Sequence, residues 1–186
     1  MIDLYGASVL DGNRTGNLAS INVSNGGVPK KAVTAAQVSL ECIEGDAQRD
    51  RRFHGGPERA VSLYSLERIQ ALRAEGHPID VGSAGENLTI SGVDWNIVVP
   101  GARLRIGSEV LLEIASFTKP CKTIRNSFLE EKFVRISQKL HPGWSRVYAR
   151  VLTAGRIESG DAVELIPTDG KHPDQGHPEN GPTFEQ

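Results

Sequence analysis

The segment FTKPCKTIR, residues 117–125, places one thiol among three cations. Cys121 is surrounded by Lys119, Lys122 and Arg125, and positive charges close to a thiol favour the thiolate form. A thiolate attacks electrophiles or binds soft metal ions. The segment therefore indicates a reactive or metal-binding cysteine. The alternative is a buried structural cysteine, because free cysteine is among the most buried residue types.

A helix start is predicted in the same segment. Thr118 can act as an N-cap, and Pro120 suits a first helical turn, where its missing N–H costs nothing. Cys121 would then lie within the first turn, where free N–H groups and the helix dipole favour an anion. Apolar residues at helical spacing predict one or two amphipathic helices further along, and these are Phe128, Leu129, Phe133, Ile136 and Leu140.

The second cysteine has a different setting. Val38, Leu40 and Cys42 alternate with polar residues, which predicts a strand with Cys42 on its apolar, core-facing side. The acidic neighbours Glu41 and Glu44 disfavour a thiolate at Cys42. We therefore take Cys121 as the functional cysteine.

Residues 45–61 form the densest polar passage of the chain and show no apolar period. Fixing the backbone of such a loop costs about 1–2 kcal/mol per residue, so its polar groups are expected to bind something. His54 is followed by Gly55 and Gly56, which allow a ligand to approach the backbone closely. A lone histidine is more often a surface residue, but the surrounding cluster favours a site.

Several further side chains are candidates for ligand contacts. Arg49 offers paired donors to a phosphate, and Asp50 could orient it. Lys30 follows a glycine pair and is either a phosphate contact or a solvated turn residue. Glu86 and Asn87, which follow a glycine, could pair with the N–H and C=O groups of a heterocycle.

Composition limits the possible classes of protein. The chain has 186 residues and a formal charge of −2, which fits one domain and argues against nucleic-acid or membrane-surface roles that depend on positive charge. Two cysteines cannot form a disulfide framework, and the sequence shows no signal segment, so a cytoplasmic, reducing location is expected. Two cysteines are also too few for an iron–sulfur cluster, so a redox reaction would need a separate electron donor.

The pattern of elements predicts a mainly β protein with a few helices. Short alternating runs separated by glycine and proline turns are typical of barrel strands, and Ser65 can cap a helix that ends near Glu75. We predict an N-terminal extension or edge strand over residues 1–17, a barrel domain over 18–167 and a polar tail over 168–186.

Five motifs together resemble the MOSC domain, the molybdenum cofactor sulfurase C-terminal type. They are GDxQxD with HGGP at 45–57, GENLT at 85–89, PC at 120–121, GW with RVL at 143–152, and GxIxxGD at 155–161. The resemblance implies a β-barrel related to the pyruvate kinase barrel domain, with the molybdenum of the cofactor bound by Cys121. Similar members, including stand-alone bacterial proteins of the YiiM type, reduce N-hydroxylated compounds.

The cofactor, molybdopterin with its metal, carries a phosphate and a donor/acceptor edge. The residues expected to meet the phosphate are Lys30, Arg49, His54 and Lys122, with the backbone of Gly55 and Gly56. The residues expected to meet the pterin edge are Asp50, Glu86 and Asn87. His54 is also the candidate proton donor for reduction of an N–O bond.

The expected partners are a small-molecule substrate and a separate flavin or iron–sulfur reductase as electron donor, with a homodimer as an option. Two other functions stay open. Cys121 could carry a persulfide as a sulfur carrier, or the domain could be a non-catalytic module for a pterin or another phosphorylated ligand. Pyridoxal phosphate is associated with the family, but no lysine here is singled out for a Schiff base.

Overall fold

The computed structural model describes residues 13–47 and 56–166. In these two ranges the chain forms ten short strands joined mostly by turns. The strands are β1 (Thr15–Val23), β2 (Lys31–Val33), β3 (Ala35–Val38), β4 (Val61–Ser65), β5 (Leu88–Ser91), β6 (Arg103–Ile106), β7 (Val110–Phe117), β8 (Val147–Thr153), β9 (Gly155–Glu158) and β10 (Ala162–Ile166).

Seven of the strands close into a barrel. Their order around the barrel is β1, β10, β6, β7, β8, β4 and β5, and β5 pairs with β1 again. The β1–β10 pairing, in which Thr15 lies opposite Glu164, closes the sheet. Only β4 and β5 run parallel, and the other barrel pairs are antiparallel. The prediction of a mainly β barrel is confirmed.

Two further pairings lie outside the ring. Strand β2 extends the sheet from β1, with Ile21 opposite Val33, and β3 pairs with β9 in a separate two-stranded sheet. A register shift between Leu18 and Ser20 lets β1 turn from one set of partners to the next. Strand β1 is thus the element that connects the closing seam of the barrel to the loop before Lys30.

The barrel interior is apolar because alternate residues of each strand point inward. Both β6 and β10 alternate between exposed and buried residues. Leu104, Ile106, Leu112 and Val163 are at most 1% exposed. Burial of an aliphatic side chain of this size contributes about 1.5–3 kcal/mol, so this interior is the main source of stability.

One α-helix, α1 (Leu66–Ala74), lies in the described residues. Its N-cap is Ser65, whose hydroxyl accepts a hydrogen bond from the backbone N–H of Arg68 at 3.2 Å. Ile69 and Leu72 are buried and pack this helix on the barrel. The predicted helix start at Ser65 is confirmed.

The prediction of amphipathic helices after Cys121 is wrong. This region instead forms three short 3₁₀ helices, Lys122–Ser127, Leu129–Glu131 and Phe133–Ile136. Phe128 is extended, and Glu130 and Glu131 have left-handed backbones, with φ of 52° and 56°. These breaks prevent a continuous α-helix. Because 3₁₀ turns also repeat about every three residues, they produce a similar apolar spacing.

The prediction that Cys42 lies in the core is also wrong. Strand β3 ends at Val38, and the hydroxyl of Ser39 donates to the carbonyl of Cys42 at 2.9 Å, which forms a turn. The turn changes the phase of the pattern, so Ile43 is buried at 1% exposure while Leu40 is 57% exposed. Cys42 itself is half-buried.

Some sequence predictions fall outside the described residues. Most of the predicted extension over 1–17 and all of the tail over 168–186 are among them, and β1 begins at Thr15. The two domain boundaries remain predictions. None of the helices in the described ranges has the length and apolar character needed to cross a bilayer.

Candidate functional site

A cavity of about 410 Å³ lies where several loops and strand ends of the barrel meet. The contributing segments are the loop before β2, the two ends of the polar passage before β4, the start of β4, the loop before β5, the segment after β7 and the start of β8. The lining residues are Ser24, Gly27, Val28, Lys30, Asp46, Ala47, Arg59, Ser62, Ala84, Gly85, Asn87, Lys119, Cys121, Thr123, Ile124, Arg146 and Tyr148.

Cys121 lies half-buried in the wall of this cavity. Its backbone is extended, with φ of −133° and ψ of 167°, and it immediately precedes the 3₁₀ helix Lys122–Ser127. The prediction of Cys121 inside a helical turn capped by Thr118 is therefore wrong, since no side chain caps this helix. Thr118 is instead held by its backbone N–H, which donates to the carbonyl of Arg146 at 2.9 Å.

Lys30 and Asp46 form an ion pair at one side of the cavity. The Lys30 Nζ lies 2.5 Å from Asp46 Oδ2, and the side chains are 12% and 3% exposed. The backbone N–H of Ser24 donates to the other carboxylate oxygen at 2.9 Å. Burial lowers the pKa of Lys30, and the hydrogen bond to Asp46 opposes this effect. The charge of Lys30 is thus matched within the protein.

Asn87 connects this ion pair to β4. Its Nδ2 donates to Asp46 Oδ2 at 2.8 Å and to the carbonyl of Asn22 at 3.3 Å. Its Oδ1 accepts from the backbone N–H of Ser62 at 3.1 Å and from the Ser62 hydroxyl at 2.9 Å. Both polar ends of the Asn87 amide therefore have partners inside the protein, and the amide holds the Asp46 carboxylate in position.

Glu86 lies behind the cavity and is fully buried. Its Oε1 accepts from the backbone N–H of Gly82 at 2.6 Å and from the hydroxyl of Thr89 at 3.4 Å. Its Oε2 is buried and has no hydrogen-bond partner in the described structure. Burial raises the pKa of Glu86, and the Gly82 N–H offsets this only in part. Glu86 fixes the glycine loop that borders the cavity and is not among the lining residues.

Arg146 is a cavity residue that the sequence reasoning missed. It lies directly before β8, is 5% exposed and lines the cavity. Within the described residues its Nε atom is buried and has no hydrogen-bond partner. The sequence pattern of β8 could have indicated its position. Val147 and Ala149 are buried in the barrel, so Arg146 and Tyr148 share the other face of the strand.

The remaining predicted residues lie elsewhere. Lys122 is exposed and is not among the lining residues, and Gly56 is exposed just before the 3₁₀ helix Pro57–Arg59. Four predicted residues lie outside the described residues, namely Arg49, Asp50, His54 and Gly55. Ala47 and Arg59, on either side of that passage, both line the cavity, so its two ends border the site.

The described lining residues have an excess of positive charge. They include four cations, Lys30, Arg59, Lys119 and Arg146, and one carboxylate, Asp46. In residues 13–47 and 56–166, no three His, Cys, Asp or Glu side chains are grouped to hold a metal ion. The cavity therefore suits an anionic ligand that meets a thiol.

Comparisons with known proteins fit this architecture. YflK of Bacillus subtilis strain 168 is 30% identical over 146 residues, covering 77% of this chain and 64% of YflK. A protein of Gibberella moniliformis described as a reductase is 33% identical over 118 residues, covering 61% of this chain and 20% of the relative. The chain thus spans less than two thirds of the length of either relative.

A solved structure shows the same fold. The crystal structure of YiiM from Geobacillus stearothermophilus aligns with a TM-score of 0.62 at 23% identity, covering 82% of this chain and 75% of that one. Residues 50–164 match the family model described as the MOSC domain, and this match covers more than half of the chain. The chain therefore belongs to the MOSC domain family.

Proposed function

We propose that this protein binds the molybdenum cofactor and reduces N-hydroxylated small molecules with electrons from a separate reductase. The observation that carries the proposal is the position of Cys121, whose half-buried thiol shares a cavity with four cationic side chains. A soft thiolate ligand next to an anion-binding wall is what a metal bound to a phosphorylated organic ligand requires.

The residues present fit this cofactor. Cys121 supplies one soft ligand, which is the contribution that a metal already bound by a dithiolene needs from the protein. Arg146 lines the cavity, and its Nε has no partner among the described residues, so its guanidinium is our candidate for a charge-assisted donor to the cofactor. When bound, the cofactor supplies a metal that transfers two electrons to the N–O bond.

The chain's own residues would bind the cofactor, orient the substrate and supply a proton to it. The Lys30–Asp46–Asn87 network fixes one wall, so that the ligand meets groups that are already ordered. Tyr148 and Arg59 form another wall, with the Arg59 guanidinium carbon 5.7 Å from the Tyr148 ring centroid. His54 remains our proposed proton donor, since the passage that contains it begins and ends at the cavity.

The comparisons support a redox role. A relative described as a reductase contains a region that is 33% identical to this chain, which supports the proposal. The matched region is only 20% of that relative. A flavin or iron–sulfur protein as electron donor, and a cytoplasmic location, are part of the same proposal.

Metal content tests the proposal directly. The wild type, Cys121→Ser and Cys42→Ser would be produced in a host that makes the cofactor, and molybdenum measured per chain. We expect about one molybdenum per chain in the wild type and in Cys42→Ser and almost none in Cys121→Ser. Of the two cysteines, Cys121 lines the cavity and Cys42 does not. Circular dichroism should show the same fold in all three proteins.

Cys42→Ser is a matched control because both cysteines are half-buried and free. Equal metal content in the wild type and Cys121→Ser would refute the proposal. Labile sulfur on Cys121 without metal would instead identify a sulfur carrier. A pterin or other phosphorylated ligand bound without metal or turnover would identify a non-catalytic binding module.

A further inference from the structure

Arg146 is a buried cation that forms no ion pair in the described structure. It is 5% exposed, and its Nε has no hydrogen-bond partner there. A guanidinium stays protonated in proteins, so this charge is not removed by titration. An unmatched buried charge is costly, and a bound anion would reduce this cost.

The other cations of the cavity differ from Arg146 in this respect. Lys30 is paired with Asp46, which also accepts from Asn87. Lys119 is exposed, so water solvates its ammonium group. The Arg59 guanidinium lies over the ring of Tyr148. Among the four cations that line the described cavity, Arg146 is therefore the one whose charge is most available to a ligand.

The carboxylates near Arg146 do not form an ion pair with it. Asp46 is already bonded to Lys30 and to the backbone of Ser24. Glu86 is buried behind the cavity and interacts with Arg146 electrostatically, but its Oε2 and the Arg146 Nε both lack hydrogen-bond partners in the described structure, so the two side chains are not directly bonded through these atoms. Arg146 therefore lines the cavity without a directly bonded carboxylate in the described residues.

The space beside the guanidinium is kept open by Gly85. A Cβ built on Gly85 would lie 3.6 Å from Nη1 of Arg146 and 3.0 Å from a methyl group of Val28. Gly85 also has a left-handed backbone, with φ of 83°, which few other residues adopt. Since Gly85 lines the cavity, the end of the guanidinium lies at the cavity wall.

We propose that Arg146 is the anion subsite of this cavity and binds the phosphate group of a phosphate monoester. A guanidinium presents parallel N–H donors that match two phosphate oxygens, which a lysine ammonium does not. The cavity volume of about 410 Å³ leaves room for an organic group attached to the phosphate. The inference rests on the proposed function for the whole ligand, while the anion contact is testable in metal-free protein.

The test measures binding of inorganic phosphate to metal-free protein by isothermal titration calorimetry in chloride buffer. Arg146→Met should weaken binding by about 10- to 100-fold, the loss expected for a hydrogen bond to a charged group. Arg146→Lys keeps the charge but loses the paired donors, so it should lie between Arg146→Met and the wild type. Lys122→Met is the matched control, because Lys122 is a cation next to Cys121 that does not line the cavity.

Unfolding in urea without phosphate gives a second readout. Arg146→Met removes an uncompensated charge and should be at least as stable as the wild type in the absence of ligand. Marked destabilisation of Arg146→Met would show a structural role and would overturn the inference. Wild-type phosphate affinity in Arg146→Met would overturn it as well. An equal loss in Lys122→Met would indicate an adventitious ion only.

Cys121→Ser separates this inference from the proposed function. It should bind phosphate within about twofold of the wild type, because the thiol is not the anion contact. If Arg146→Met loses phosphate and the wild type holds no molybdenum, the anion subsite stands and the cofactor proposal fails. If the wild type holds molybdenum and Arg146→Met binds phosphate normally, the cofactor proposal stands and the anion subsite at Arg146 fails.

Discussion

Replacing Asn87 by alanine should destabilise the fold strongly, because its amide connects β4 to the Lys30–Asp46 pair. The change leaves the backbone N–H of Ser62 without its acceptor, at a cost of about 1–3 kcal/mol. It also removes the bond to the Asp46 carboxylate, which as a bond to a charged group contributes about 1.5–3 kcal/mol. Together we expect a loss of about 3–5 kcal/mol, a large part of a typical total of about 5–15 kcal/mol.

Urea unfolding followed by circular dichroism measures this loss. At a slope of about 2 kcal/mol per molar urea, the midpoint should fall by about 2 M. Asn96→Ala is the matched control, since Asn96 is exposed but also hydrogen-bonds through its amide, to Asp94 and Arg68. Solvent replaces those bonds, so its cost should stay below about 1 kcal/mol.

Asn87→Asp is a second variant that distinguishes the two halves of the interaction. It keeps an acceptor for Ser62 but loses the donor to Asp46 and places two carboxylates together, so it should be less stable at neutral pH than at mildly acidic pH. A loss below about 1 kcal/mol in Asn87→Ala would refute the structural role of this amide. Such a result would leave Asn87 as the ligand contact that the sequence suggested.

Two further changes test the loop beside the cavity. Gly82→Ala should cost about 1–3 kcal/mol more than Gly101→Ala. Both glycines have positive φ, but a Cβ on Gly82 would clash with the backbone carbonyl of Lys30, whereas a Cβ on Gly101 would face open space. Equal urea midpoints would contradict this. Glu86→Gln should flatten the pH dependence of stability. Because burial raises the pKa of Glu86 above its unfolded value near 4.5, its stabilising contribution is full below that pH and is lost as the pH rises through the folded pKa. Urea unfolding at about pH 5 and about pH 8 should show that Glu86→Gln becomes more stable relative to the wild type at the higher pH. An equal stability difference between the two proteins at both pH values would contradict the raised pKa.

The elements that the sequence predicted well are those whose signals are local. The helix at Ser65 has a capping residue followed by apolar residues at helical spacing, and both signals act within the helix itself. The β6–β7 hairpin is defined by alternation on each side of a turn, with Ile106 opposite Val110. The closure of the barrel was predicted from the resemblance to the family, because no local pattern in the sequence indicates it.

The elements that it missed depend on contacts between distant residues. The spacing from Phe128 to Ile136 suits an α-helix as well as successive 3₁₀ turns, and the left-handed backbone at Glu130 is decided by packing. The cavity cations show the same limit. A sequence does not show that Asp46 pairs with Lys30 while the Nε of Arg146 has no hydrogen-bond partner, because these residues come to one cavity only in the folded barrel.

The closing seam of the barrel also bears on how the chain folds. The paired residues of β1 and β10 lie 145 to 149 positions apart, whereas the β6–β7 hairpin joins neighbours. Local hairpins form within microseconds, but a pairing across so long a loop carries a large entropic cost and slows folding. During synthesis β1 emerges first and must wait for β10, with one edge unpaired. Nascent or partly unfolded chains are therefore expected to associate through β1, and faster closure of this seam would protect them from aggregation.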